Sequence, residues 1–390
     1  MVPYVVVFLA TAGAVFVVTP SVRMLSIRLG AIDQPSERKV HPKPVPTMGG
    51  LGILFGVLVG LGVAYVTPSF RDLFRFSTEL QGALYAGVAI AAVGVVDDLR
   101  TLSAPAKVAG QVLAAGLLIL SGVELLFFYF PTQGTILLGS DLAVPLTVAW
   151  VLIVVNAVNL IDGLDGLAAG IVVIAAAAFF VYAYGAPAPL SGPASAPALL
   201  AAITAGAALG FLPHNFYPAR IIMGDTGSML LGVLLSAITI SGVGRTVQPT
   251  GHDIAAFAIP VLIPVLVLAL PLMDVALAIL RRLRGRRPVF APDKEHIHHQ
   301  LQEIGHSHRQ AVLLMYLWSA VVAGATLVIT FAKSGTTAIS VAAFAVLALA
   351  VTVVPRLIRG IRKGRAEAAE ARAARVPPGG PAAGGAPAPD

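Results

Sequence analysis

The string NAVNLIDGLDGL at 156–167 sets Asn156, Asn159, Asp162 and Asp165 at successive i,i+3 positions. In a helix this spacing stacks four oxygen-bearing side chains along one stripe. Gly163 and Gly166 can then break the helix and bare main-chain amides. A tight turn needs one Asp-Gly step, not two after two asparagines, so the string points to ligand chemistry. MGDTGS at 223–228 holds Asp225 between Gly224 and Gly227, just ahead of an apolar run. A helix starting there offers unpaired N–H groups to phosphate. Its carboxylate suits Mg2+, which takes one or two carboxylates together with substrate phosphates. Capping the helix is a second use for Asp225, compatible with the first.

Three further strings belong with these. VVDDL ends an apolar run on Asp97 and Asp98. Adjacent carboxylates repel unless a cation or proton intervenes, and negative charge at a helix C-terminus opposes the dipole. Lys107 opens the next run and reads equally as loop decoration or as part of the site. HIHH supplies His296, His298 and His299 after the basic run RRLRGRR. They can ligate a transition metal, bind phosphate or lie on a surface amphipathic helix; the phosphate reading fits the basic neighbourhood best. RKVHPKPVPTMGG carries Arg38, Lys39, His41 and Lys43 in a proline-stiffened loop before Gly49 and Gly50. Its plain alternative is a basic loop beside a membrane.

The elements that position these residues are apolar helices. The chain has 390 residues, 57% of them hydrophobic and 12% charged, with mean hydropathy +0.88. Soluble domains carry about 25% charged residues, so the expected fold is an all-α polytopic membrane protein. There is no cysteine, which excludes disulfide and thiolate chemistry. The net charge of +7 reports orientation rather than nucleic-acid binding. Runs long enough to cross a bilayer lie near 2–20, 48–66, 80–96, 105–127, 142–160, 167–184, 197–213, 228–244, 254–279, 311–331 and 337–355. The first lacks the basic stretch that precedes a signal peptide's core and is read as a span. These eleven spans set the N-terminus outside and the C-terminus in the cytoplasm. Of the 26 Lys and Arg, 22 then fall on the cytoplasmic side, as the positive-inside rule requires. All five polar strings share that side, so the expected active site is built from cytoplasmic loops. Asp274 sits inside the ninth span and wants a partner the sequence does not name.

Residues 1–357 are expected to form the integral-membrane catalytic domain. Residues 358–390 read as a basic stretch passing into a disordered Pro/Gly/Ala-rich cytoplasmic tail. The basic segment from Arg356 to Arg365 suits anionic membrane lipids.

In order and content, the five strings resemble those of the polyprenyl-phosphate N-acetylhexosamine-1-phosphate transferases, over about residues 1–355. HIHH, with Ile297 interrupting the histidines, resembles the bacterial GlcNAc-1-phosphate branch. The resemblance implies transfer of GlcNAc-1-phosphate from UDP-GlcNAc to undecaprenyl or decaprenyl phosphate. UMP is released, and the lipid-linked pyrophosphoryl sugar starts a cell-wall polymer. It implies Mg2+, with Mn2+ as a substitute, held by Asp225 and Asn159. Asp97 and Asp98 match the acids assigned to the lipid phosphate, and Lys107 a basic residue near the phosphates. Gly163, Leu164 and Asp165 match a uridine-binding loop, with Asn156 and Asp162 counted beside them. His296, His298 and His299 match the loop that holds pyrophosphate and sugar. Lys43 and Thr47 match a first-loop site. The implied location is the plasma membrane, multi-pass. Oligomeric state stays open, a homodimer included. Two alternatives stand. A sibling enzyme would use UDP-MurNAc-pentapeptide. A transporter would place polar residues at the midplane and on both faces, where this chain loads one face.

Overall fold

In a computed structural model of the chain, residues 1–34, 44–130, 134–185, 195–243 and 307–331 are described. The chain divides into two compact units, Met1–Val341 and Ala342–Asp390, and every described residue lies in the first. The expected spans at 254–279 and 337–355 fall outside the described residues. So do Lys43, Asp274, His296, His298, His299 and the tail.

The apolar runs fold as helices because a helix satisfies its own main-chain hydrogen bonds, which a bilayer core demands. In chain order they are α1 (Val2–Leu29), α2 (Gly50–Val66), α3 (Arg71–Phe76), α4 (Glu79–Leu99), α5 (Ala104–Leu120), α6 (Ser140–Ile161), α7 (Leu167–Gly185), α8 (Ala196–Asn215), α9 (Gly224–Val243) and α10 (His308–Phe331). Two short antiparallel pairs join them: Ile32–Asp33 with Val45–Pro46, and Phe127–Phe130 with Gly134–Leu137. Among the described residues, seven helices are long and apolar enough to cross a membrane. The pair Gly50–Val66 and Pro68–Phe76, bent by 92°, raises this to eight.

One expected span is shorter than the sequence suggested. The run at 105–127 is helical only to Leu120. Gly122 takes a left-handed φ of 77°, and the chain then turns into the hairpin at 127–137.

α9 is the most enclosed helix and forms the centre, with α4, α6, α8 and α2 around it. Glycines bring the backbones close at its start. A Cβ on Gly50 would stand 2.1 Å from the Gly227 nitrogen, and one on Gly94 2.4 Å from the Thr226 Cα. Small residues of this kind let apolar helices pack where water supplies no driving force. The C-terminal ends of α4, α6 and α8 and the N-terminal ends of α2, α5, α7 and α9 all meet at one end of the bundle, as the bonds described below establish.

Candidate active site

Lys107 lies in the first turn of α5, where a cation opposes the helix dipole, and Asp97 lies in the last turn of α4, where an anion does. Each placement is unfavourable alone, and together they pair. Lys107 Nζ is 2.7 Å from Asp97 Oδ2 and 2.6 Å from Asp225 Oδ2. The ammonium therefore bridges carboxylates from α4 and α9. Asp97 Oδ1 accepts from the Leu102 N–H at 2.6 Å, which ties the α4–α5 turn to the cluster. Asp225 Oδ1 accepts from Asn159 Nδ2 at 2.8 Å, and the same nitrogen donates to Ser228 Oγ at 2.9 Å. Four residues from α4, α5, α6 and α9 thus close on one another, half-exposed at the end of the bundle.

Asp98 does something else. Its Oδ1 accepts from the Asp225 N–H at 2.9 Å, and its Oδ2 from the Thr226 N–H at 3.2 Å and the Thr226 hydroxyl at 2.6 Å. Thr47 Oγ1 donates to the same carboxylate at 3.5 Å. Asp98 is the N-terminal cap of α9, supplied from α4. This corrects the expectation that the start of α9 offers its amides to phosphate: the Asp225 and Thr226 amides are taken. A left-handed Gly224, φ 72°, permits the close approach, for a Cβ there would meet Asp98 Oδ2 at 2.5 Å.

The expected four-residue stripe is also corrected. α6 ends at Ile161 with Asp162 as its cap, so the i,i+3 register stops before Asp165. Asp165 is buried and accepts from the Ala219 N–H at 2.9 Å. Gly166, at φ 79°, donates its N–H to Asn215 Oδ1 at 3.0 Å rather than leaving it bare. Leu164 is buried, and Gly163 is the exposed member of the turn. These contacts fasten the α6–α7 turn to the segment 216–223. That segment in turn reaches the start of α2, where Ile222 N–H donates to Pro46 O and Gly49 N–H to Ile222 O. The Tyr316 hydroxyl of α10 donates to Gly166 O, and Gly170 leaves room for its ring.

Asn156 sits one turn deeper than Asn159. Its Nδ2 donates to Gln111 Oε1 and to Leu152 O, both at 2.8 Å. It joins α6 to α5 beneath the cluster. Gln111, buried at 2% exposure, escaped the sequence reading. A glutamine inside an apolar span, four residues after Lys107, was the available signal. Ser228 and Thr226 were within a quoted string but had no assigned part.

Asp162 is half-buried at the α6 cap, and no hydrogen bond to its carboxylate occurs among the described residues. Its carboxyl is held well above the usual carboxylate range, first by burial, then by the charges of Asp225, Asp98 and Asp165. Lys107 is the one cation bonded into this acidic cluster among the described residues. The surplus of negative charge fits a bound cation. No group of three or more Asp, Glu or His side chains is arranged to hold a metal by itself among the described residues. Asp225 and Asn159, oxygen-bearing and in contact, are the pair that could hold it.

The chain is similar to known proteins over most of its length. The profile of glycosyl transferase family 4 matches residues 80–243, from α4 to the end of α9. The decaprenyl-phosphate N-acetylglucosaminephosphotransferase of Mycobacterium tuberculosis is 42% identical over 359 residues, covering 90% of this chain and 89% of that protein. The probable undecaprenyl-phosphate N-acetylglucosaminyl 1-phosphate transferase of Bacillus subtilis is 38% identical over 317 residues, 81% of this chain and 82% of the relative. The undecaprenyl-phosphate alpha-N-acetylglucosaminyl 1-phosphate transferase of Yersinia pestis is 28% identical over 326 residues. The matched profile spans all four helix ends that build the cluster, and with relatives this similar over most of its length the chain belongs to glycosyl transferase family 4.

Proposed function

We propose that this protein transfers GlcNAc-1-phosphate from UDP-GlcNAc to a polyprenyl phosphate in a Mg2+-dependent reaction on the cytoplasmic side of the plasma membrane. The observation that carries the reading is the closure of Asp97, Lys107, Asn159 and Asp225 from four helix ends. The names of the relatives support a polyprenyl-phosphate acceptor and N-acetylglucosamine as the sugar, in preference to a MurNAc-pentapeptide donor. The distribution of 22 of 26 basic residues supports the cytoplasmic side.

An oxygen of the lipid phosphate attacks the β-phosphorus of UDP-GlcNAc. The bond from that phosphorus to the bridging oxygen breaks, and UMP leaves with the electron pair. Such transfers rely on positioning and charge neutralisation more than on covalent help from the protein. Asp225 and Asn159 would hold Mg2+ or Mn2+, whose contribution is to neutralise the diphosphate and stabilise the departing UMP. Lys107 supplies the fixed positive charge for an entering phosphate, and Asp97 keeps that ammonium in place. A phosphate monoester has a second pKa of about 6, so the acceptor arrives mostly ionised and needs orienting rather than deprotonation. The resemblance gives the α6–α7 turn to the uridine, and Gly163 is the exposed member of that turn. The assigned parts of Lys43 and the three histidines lie outside the described residues.

Purified protein offered polyprenyl phosphate with either UDP-GlcNAc or UDP-MurNAc-pentapeptide tests the reading. UMP should appear with UDP-GlcNAc and Mg2+ and stop with chelator. No turnover of UDP-GlcNAc would sink it.

A further inference from the structure

We propose that Ser228 is a positioning residue that decides which end of the Asn159 side-chain amide is free to meet a cation. The inference rests on the reading of Asn159 and Asp225 as the Mg2+ ligands.

A main-chain carbonyl can only accept and a main-chain N–H can only donate. The Ser228 hydroxyl donates to Gly224 O at 3.0 Å, which commits its one proton. Its oxygen can then only accept, and what it accepts is an Asn159 Nδ2 hydrogen at 2.9 Å. The second Nδ2 hydrogen goes to Asp225 Oδ1 at 2.8 Å. At the far end Lys107 donates to Asp225 Oδ2 and to Asp97 Oδ2, and the Leu102 N–H donates to Asp97 Oδ1. The donor and acceptor of every bond from Gly224 to Leu102 are therefore fixed. Both hydrogens of the Asn159 amide are used, and its Oδ1 accepts from no group among the described residues. A flipped amide would set its oxygen against a carboxylate and against a hydroxyl whose proton is engaged.

Asp225 alone is an insufficient lock. A cation bound to that carboxylate draws off the charge that demands an N–H. Ser228 is neutral, fully buried and three residues away on the same helix, so its demand persists when the cation is present. Outer partners of metal ligands fix orientation in this way. The plain alternative is a serine that merely bonds back to its own helix, as Thr11, Thr19 and Ser236 do. Ser228 differs from these three in receiving a side-chain amide.

The test is Mn2+ binding by the detergent-purified full chain, followed through the electron paramagnetic resonance of free Mn2+, with metal-free melting as the folding control. Ser228→Ala should weaken Mn2+ binding by about tenfold to a hundredfold. Asn159→Asp supplies the decisive background, because a carboxylate has no wrong end. There, adding Ser228→Ala should cost no further affinity, a coupling that a double-mutant cycle reads directly. Equal weakening in both backgrounds would overturn the lock and leave a distorted helix as the cause. Wild-type binding with unchanged affinity in Ser228→Ala would overturn the lock alone. No Mn2+ binding by the wild type would overturn the metal reading along with it.

Discussion

At the end of α4, Asp97 and Asp98 are adjacent; in the turn after α6, Asp162 and Asp165 stand three residues apart. The two regions repeat one division. In each, one carboxylate accepts main-chain N–H groups and holds a neighbouring element: Asp98 caps α9, and Asp165 fastens the segment at Ala219. The other carries charge into the cluster: Asp97 meets Lys107 while also accepting the Leu102 N–H of its own turn, and Asp162 has no hydrogen-bond donor among the described residues. The regions differ in what balances this second member. Asp97 has a cation at 2.7 Å, whereas Asp162 has its carboxyl pushed up first by burial and then by the charges of Asp225, Asp98 and Asp165. Acidic motifs at helix ends thus combine a fastening with a charge. Loss of the two should look different in experiment.

The sharpest way to break the comparison is at α4. Asp97→Asn should reduce the rate of UMP release on the order of a hundredfold, the scale for losing a preorganised charge interaction, with the melting temperature nearly unchanged. Asp98→Ala should show the reverse emphasis. It strands the buried Asp225 and Thr226 donors and should cost about 1–3 kcal/mol of stability, read by thermal or denaturant unfolding, with activity falling less than in Asp97→Asn. If both variants lose activity equally at unchanged stability, the division at α4 is wrong.

The α6–α7 turn sharpens it further with smaller effects. Asp165→Ala should destabilise by about 1 kcal/mol through the lost bond to Ala219. Limited proteolysis within 216–223 should detect the loosened segment. Asp162→Asn should raise the metal-free melting temperature slightly at neutral pH. A carboxyl whose folded-state pKa is raised binds more protons folded than unfolded, so its ionisation subtracts stability as pH rises. Removing that ionisation removes the loss. A lower melting temperature in Asp162→Asn would show that the carboxylate is a fastening like Asp165.

Much of this was legible in the sequence because its causes are local. Apolar runs must be helices in a bilayer, and nine of the eleven expected spans contain a helix of the described structure. The acidic and glycine-rich strings fell at helix ends because charges are costly inside an apolar slab. Errors came where local rules met partners far along the chain. The i,i+3 register of the α6 string held through Asp162 and failed at Asp165, which an N–H 54 residues away draws aside. The start of α9 had open amides by local reasoning, until a carboxylate 127 residues distant closed them. Gln111 carried the signal of a polar residue in an apolar run, and its partner Asn156 lies 45 residues on.

By itself the sequence determined the class of fold, the helices and the kind of chemistry, because hydropathy, spacing and residue type act within a few turns of chain. Only the tertiary structure decided that Lys107 lies between Asp97 and Asp225, that Asp98 is a cap, and that Ser228 accepts from the Asn159 amide. Those facts depend on how α4, α5, α6 and α9 meet end to end, where glycine contacts set the distances and each hydrogen bond has a partner that no local pattern names.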